Sequence, residues 1–320
     1  MTRRIPPLLV KAVGVVLTYA IVQVLIVTGV IDDYIVITIV TICINIILAV
    51  SLNLITGFTG QFSLGHAGFM AIGAYTTALL TMQFSTTWGF LGGLLLGGLI
   101  AAAVGLLIGL PTLRLRGDYL AIATLGMAQI IQALFLNLGF TNGAAGLSGI
   151  PQFVNWTWIF VFTAGAVILI SNFIRSVPGR GLIAVREDEI AAASIGVNAV
   201  WAKTSAFVIG AFFGGLAGGL YSSYFYFIQP TLFGFQNSVN ILIIVVLGGL
   251  GSISGSVIAA ILLSLLSTAL QPFPELQMVI YGLVLVVIMV FRPQGLMGDR
   301  ELTMNALKRL VPKKAQEARP

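Results

Sequence analysis

Long apolar stretches recur from one end of this chain to the other, and that recurrence limits the possible folds more than any motif does. A helix that crosses about 30 Å of hydrocarbon needs roughly 20 apolar residues. Ten segments meet or approach this length: 12–30, 34–56, 64–84, 89–110, 119–139, 156–174, 204–228, 231–250, 254–271 and 276–291. The weakest is 231–250, whose firmly apolar part, ILIIVVLGGL at 241–250, is short. Only 8% of the residues are charged, against about 25% in a soluble domain that must cover itself with polar groups. The expected fold is therefore an all-α, polytopic integral membrane protein of about ten transmembrane helices, with the lipid bilayer as its first partner.

Basic residues favour the cytoplasmic side of a membrane. Arg3, Arg4 and Lys11 place the N-terminus there, and Arg292, Arg300, Lys308, Arg309, Lys313 and Lys314 place the C-terminus there too. Two inside termini require an even number of spans, which admits 231–250 as the tenth. The connecting segments agree. Asp32 and Asp33 fall outside, whereas Arg114, Arg116, Arg175, Arg180, Arg186 and Lys203 fall inside, and Trp88, Trp156, Trp158 and Trp201 all sit at span ends. The first apolar run is too long for a cleaved secretory signal and lacks a small-x-small site, so it reads as a retained span. Residues 1–291 form the membrane domain, with an inside loop at 175–203, and 292–320 form a basic, solvated cytoplasmic tail. The net charge of +6 is distributed in these short segments as a topology signal, and no nucleic-acid partner is expected.

Much reactive chemistry is excluded by what the chain lacks. Cys43 and His66 are its only cysteine and histidine, so neither a disulfide framework nor a metal site is expected, and no cofactor. All ten acidic residues lie outside the expected spans or at their ends, which leaves no intramembrane carboxylate to couple a proton or cation gradient. His66 reads as a hydrogen-bonding residue in a Gly-rich turn, with a proton relay as the alternative. There is no constellation of Ser, His and acid, and no G-x-x-x-x-G-K-[ST] loop. The chain is not expected to be an enzyme, and any ATP hydrolysis would fall to another chain.

Glycine pairs at i, i+4, such as Gly93/Gly97, Gly214/Gly218 and Gly215/Gly219, mark faces where helix backbones can approach closely, with a flexible gate as the other reading. Two Gly-rich segments differ, GFTGQFSLGHAG (57–68) and GGLGSISG (248–255). They place Gly57, Gly60, Gln61, Ser63, Gly65 and His66, and Gly248, Gly249, Gly251, Ser252 and Gly255, either in broken helices along a translocation pathway or in turns at the cytoplasmic surface.

The inside loop concentrates charge and pattern. Glu187, Asp188 and Glu189 open a short helical reading, suited to the positive end of a helix dipole. Ala191, Ala192 and Ala193 keep its surface small, Ile190 and Val197 give an apolar edge, and Gly196 with Asn198 stops it. The string REDEIAAASIGV (186–197) resembles the EAA-type cytoplasmic loop through which permeases of ATP-binding-cassette importers contact their ATPase. The usual spacing is E-A-A, three residues, then Gly; here Glu189 sits one place early and Ile190 holds the Glu position, a form found in the branched-chain amino acid importer family. LNLITGFTGQFSLGHAGFMAIGAYTTALL (52–80), VVLGGLGSISGSVIAAIL (245–262) and FRPQGLMG (291–298) are similar to the same family, to its M-type permease subunit. The resemblance implies a multi-pass permease of a bacterial-type inner membrane. Its implied partners are a homologous sister permease, two cytoplasmic ATP-binding-cassette ATPases and an extracytoplasmic solute-binding protein. It implies that Arg186, Glu187, Asp188, Glu189, Ala191, Ala192 and Gly196 belong to the ATPase-coupling loop, with Ala191, Ala192 and Gly196 on the docking face. Leucine, isoleucine and valine are the family's solutes, while related importers carry urea, amides or other small solutes; a self-sufficient secondary carrier is the remaining alternative.

Overall fold

The computed structural model describes residues 7–29, 31–112, 118–292 and 294–298. Every one of the ten apolar segments carries a helix. They are α1 (Pro7–Val27), α2 (Asp33–Thr59), α3 (His66–Gln83), α4 (Thr87–Thr112), α5 (Asp118–Asn137) and α6 (Trp156–Arg175), followed, after the polar loop, by α9 (Ala199–Phe225), α10 (Phe235–Gly248), α11 (Ile253–Ala269) and α12 (Pro274–Phe291). The loop itself holds α7 (Val177–Glu187) and α8 (Glu189–Ser194). Two short strands, β1 (Leu147–Ser148) and β2 (Phe227–Ile228), pair antiparallel with Leu147 opposite Ile228. The chain is an all-α polytopic membrane protein. Among the described residues, six segments are long and apolar enough to cross a membrane outright, including Pro230–Gly248, the stretch that sequence patterning left weakest. Arg3, Arg4, Arg114, Arg116 and the tail beyond residue 298 lie outside the described residues.

The α9 helix runs through the middle of the bundle, packed against α2, α3 and α4. Lipid cannot drive helices together by the hydrophobic effect, so close van der Waals packing must do so, and small residues permit it. A Cβ on Gly73 of α3 would collide with the Gly215 carbonyl of α9, and one on Gly218 would collide with the Met70 carbonyl of α3. Gly97 of α4 completes the contact, 2.9 Å from its would-be Cβ to the Gly73 carbonyl oxygen. Glycine at these positions is thus a packing requirement of α3, α4 and α9. On the outside, Leu99 and Leu107 of α4 and Val286 and Val290 of α12 are exposed, as lipid-facing positions should be.

The bundle has two distinct ends. One gathers the C-terminus of α2, the α7–α8 loop, the α10–α11 turn and residues 294–298. The other holds the β1–β2 pair and the start of α2, where the Tyr34 hydroxyl donates to the Thr268 carbonyl at 3.2 Å. The first carries the loop residues Arg180 and Arg186 and takes the label inner, the second the label outer, as names for the two ends of the bundle.

Replacing Gly218 with Val should cost about 1–3 kcal/mol through overpacking and lower the thermal midpoint of the detergent-solubilised chain. Gly92→Ala, at a glycine with open space around its would-be Cβ, should leave that midpoint unchanged. Equal midpoints for the two variants would contradict the packing account.

Candidate functional site

The first Gly-rich segment falls into two parts. α2 ends where Gly60 takes a left-handed conformation, φ 70°, and Gly57 and Gly60 lie beside Arg186 at the inner end. Residues 61–65 then run back along α2 inside the bundle, so that α3 starts level with Ser51. There the Ser51 hydroxyl donates to the Leu48 carbonyl at 3.0 Å and meets His66 Nε2 at 2.8 Å. Backbone groups at membrane depth need protein partners. The Leu64 N–H donates to Thr124 Oγ1 of α5 at 3.0 Å, and the Ala67 N–H donates to Ser238 Oγ of α10 at 3.2 Å. Gln61, Ser63 and His66 are buried, and Gly65 fits because a Cβ there would approach the Thr124 carbonyl oxygen to 2.6 Å.

The second Gly-rich segment forms the α10–α11 turn. Gly248 and Gly255 abut, with the would-be Cβ of Gly248 at 2.6 Å from the Gly255 carbonyl, and Gly249 and Gly251 take positive φ. Ser252 caps α11, accepting from the Gly255 N–H at 3.1 Å. One residue of α2 holds this turn. The wholly buried Asn53 donates to the Ser252 carbonyl at 2.9 Å and to Ser256 Oγ at 2.8 Å, and accepts from the Gly251 N–H at 2.9 Å. The ending FRPQGLMG folds onto the same turn, with the Leu296 N–H donating to the Leu247 carbonyl at 2.9 Å.

The polar loop is tied to this cluster through Arg186, at the end of α7. Its Nη1 donates to the Gly57 carbonyl at 2.8 Å, and its Nη2 pairs with Glu187 at 3.0 Å. Asp188 then leaves the helix and caps α8, its Oδ1 accepting from the N–H groups of Ile190 and Ala191 at 2.8 and 3.0 Å. Glu189 anchors α8 to α9 through Lys203 at 2.7 Å, and Gly196 ends the loop with φ +86°.

The expected docking face is only partly available. Ala192 is 2% exposed; it faces into the chain, where α8 rests against α7 and α9. Nor do Ile190 and Val197 share an edge, because the helix stops at Ser194. Ile190 is 84% exposed and Ile195 75% exposed, while Val197 is half-buried near Gly181. The exposed residues of α8 and of the turn that follows it are Ile190, Ala191, Ala193, Ser194, Ile195 and Gly196.

Towards the outer end lies a cavity of about 560 Å³, bordered by α2, α10, α11, the Pro230–Phe233 turn, and single residues of α3, α9 and α12. Six of its polar side chains form i, i+4 pairs on three helices: Thr41 and Asn45 on α2, Gln236 and Asn240 on α10, and Ser264 and Thr268 on α11. Among the described residues, none that borders it is charged. The inward floor is apolar, made by Leu48, Ile244 and Met70. None of these residues belongs to the Gly-rich segments. The signal for them was in the sequence as paired amides and hydroxyls recurring on one face of otherwise apolar helices.

A family model described as the branched-chain amino acid transport system permease component matches residues 34–289. The high-affinity branched-chain amino acid transport system permease protein LivM of Salmonella typhimurium is 39% identical over 289 residues, covering 79% of this chain and 68% of the relative. LivM of Escherichia coli matches to the same extent. LivH of Escherichia coli is 25% identical over 288 residues, covering 80% of this chain and 92% of the relative. No solved structure matches the chain.

Asn53→Leu should leave the Gly251 N–H and the Ser252 carbonyl without their side-chain partner, at about 1–3 kcal/mol for each buried group left unsatisfied. The expected result is a lower thermal midpoint, together with faster modification of a Ser256→Cys reporter by a thiol reagent added from the inner side. Unchanged accessibility of that reporter would show that Asn53 does not hold the turn.

Proposed function

The chain belongs to the branched-chain amino acid transport permease family, and from that membership we propose that it forms half of the translocation pathway of an ATP-driven importer for leucine, isoleucine and valine. The observation that carries this reading is the 39% identity to LivM across most of the chain. The charge distribution supports it. The described acidic residues of the membrane helices lie at their ends: Asp33 and Asp118 open α2 and α5, and Glu275 lies in the first turn of α12. With no carboxylate inside the bundle to exchange a proton or cation, energy must reach the chain from a partner. The partners in this reading are a homologous sister permease, two cytoplasmic ATPases and an extracytoplasmic solute-binding protein, assembled in a bacterial-type inner membrane. The ten helices cross it with both termini inside, and the basic tail that follows the FRPQGLMG ending belongs to the cytoplasm.

In this reading α8 docks on an ATPase. Ile190 and Ile195 supply apolar contacts, Ala191 permits close approach, and the Asp188 cap and the Glu189–Lys203 pair hold the helix at a fixed angle to α9. Arg186 joins this docking element to the inner ends of α2 and the α10–α11 turn. The segments 57–66 and 248–255 form the inner part of the pathway wall.

Uptake of leucine into proteoliposomes should require this chain, its sister permease, the ATPases, the binding protein and ATP together. Turnover of ATP by this chain alone, or leucine uptake driven by a proton gradient without the ATPases, would overturn the reading. A reporter active only outside the cytoplasm, fused after Lys314, should stay silent; activity there would mean an odd number of spans. Ala191→Arg should leave the chain at normal abundance but weaken ATPase co-purification by about tenfold or more, since each 1.4 kcal/mol is tenfold and overpacking a fitted contact costs about 1–3 kcal/mol. Gln83→Arg, at the opposite end of the bundle, should change nothing. Normal ATPase attachment and uptake in Ala191→Arg would show that α8 is not the docking element.

A further inference from the structure

The outer cavity combines features that together specify a ligand class. Its volume, about 560 Å³, lies in the range of small-molecule sites, roughly 300–1,000 Å³, and accommodates an amino acid with water. Among the described residues, its walls hold amides and hydroxyls but no side chain of either charge. A solute with net charge entering such a space would lose its hydration without gaining a counter-ion, which is strongly unfavourable. A zwitterion differs, because its carboxylate needs donors and its ammonium needs acceptors, and a side-chain amide offers both.

The amides are not equally free. Asn45 Nδ2 is committed to Ser264 Oγ at 2.9 Å, and Asn237 Nδ2 lies 3.6 Å from Met70 Sδ. Gln236 and Asn240, one turn apart on α10, make no side-chain hydrogen bond to the described residues. Helix ends reinforce the arrangement. α10 and α11 are about 21 and 26 Å long at 1.5 Å per residue, so they are shorter than the hydrocarbon is thick, and the first turn of α10 and the last turn of α11 both border the cavity. Those ends carry opposite partial charges, positive at the start of α10 and negative at the close of α11. Below them, the apolar floor of Leu48, Ile244 and Met70 faces an aliphatic side chain.

We propose that this cavity is a solute site that admits amino acids only as net-neutral zwitterions with uncharged side chains, and that Gln236 and Asn240 bind the two charged ends of the solute. The proposal rests on the importer reading and adds to it a selection step within the permease, separate from any made by the binding protein.

The test uses the complete importer in proteoliposomes, in a Cys43→Ser background carrying Thr41→Cys, at a position that borders the cavity but is not one of the two proposed binding residues. A small thiol reagent added from the outer side should modify the new cysteine, and millimolar leucine should slow that reaction several-fold, whereas equal concentrations of lysine or glutamate should leave its rate unchanged. In a second arm, Asn240→Asp places a carboxylate in the charge-free cavity. Leucine uptake should fall about tenfold or more, an unpaired charge now facing the zwitterion, while the ATPases still co-purify with the chain. Equal protection by all three solutes, protection by none, or unchanged leucine uptake in Asn240→Asp would overturn the proposal. Absence of leucine uptake by the unsubstituted importer would overturn the importer reading instead, so the two failures are separable. Where Asn240→Asp fails to assemble, the protection assay decides alone.

Discussion

A backbone inside hydrocarbon has no water to bond, so every N–H and C=O must find a protein partner or be wound into a helix. Most of this chain complies by being helical. Residues 60–65 and the turn at 249–252 leave the helical pattern, and side chains of the surrounding bundle supply partners to both. Thr124 and Ser238 hold the first, from α5 and α10, and Asn53 holds the second, from α2. These polar side chains are buried in otherwise apolar helices, and a breach in the helical ladder lies opposite each of them. Because the partners come from different helices, each irregular stretch also ties elements together that lipid alone would not.

The tight glycine seam of α3, α4 and α9 complements those ties. It forms a close-packed body in which backbones nearly touch, while α2, α10 and α11 enclose the cavity beside it. Space is therefore distributed unevenly: almost none along the seam, and several hundred cubic ångströms towards the outer end. At the inner end the same helices converge on Asn53 and Arg186, and the cavity floor above them is apolar and buried. The bundle is thus open towards one end and fastened at the other. Arg186 belongs to the fastening and stands two residues before the α8 cap, so a shift of the α7–α8 loop must either carry the end of α2 with it or break the bond to Gly57.

The positions and approximate ends of the ten apolar helices were legible in the linear pattern, because crossing hydrocarbon demands a length and a composition that few soluble helices share. A short acid-led helix in the polar loop, the stop signal at Gly196 and the irregularity of both Gly-rich segments were legible too, since glycine and end charges act locally, whereas the break at Asp188 between α7 and α8 was not. What the pattern alone could not decide was direction. Ala191 and Ala192 are chemically identical neighbours, yet one faces outward and the other into the chain, a difference set by where α7 and α9 lie. Likewise Thr41, Gln236 and Ser264 are far apart along the chain and unremarkable one at a time; only the packing of α2, α10 and α11 brings them around one space. Local hydrogen bonding and burial per residue can be summed along a sequence. A cavity is a property of surfaces that fail to meet, and it exists only once the helices have packed.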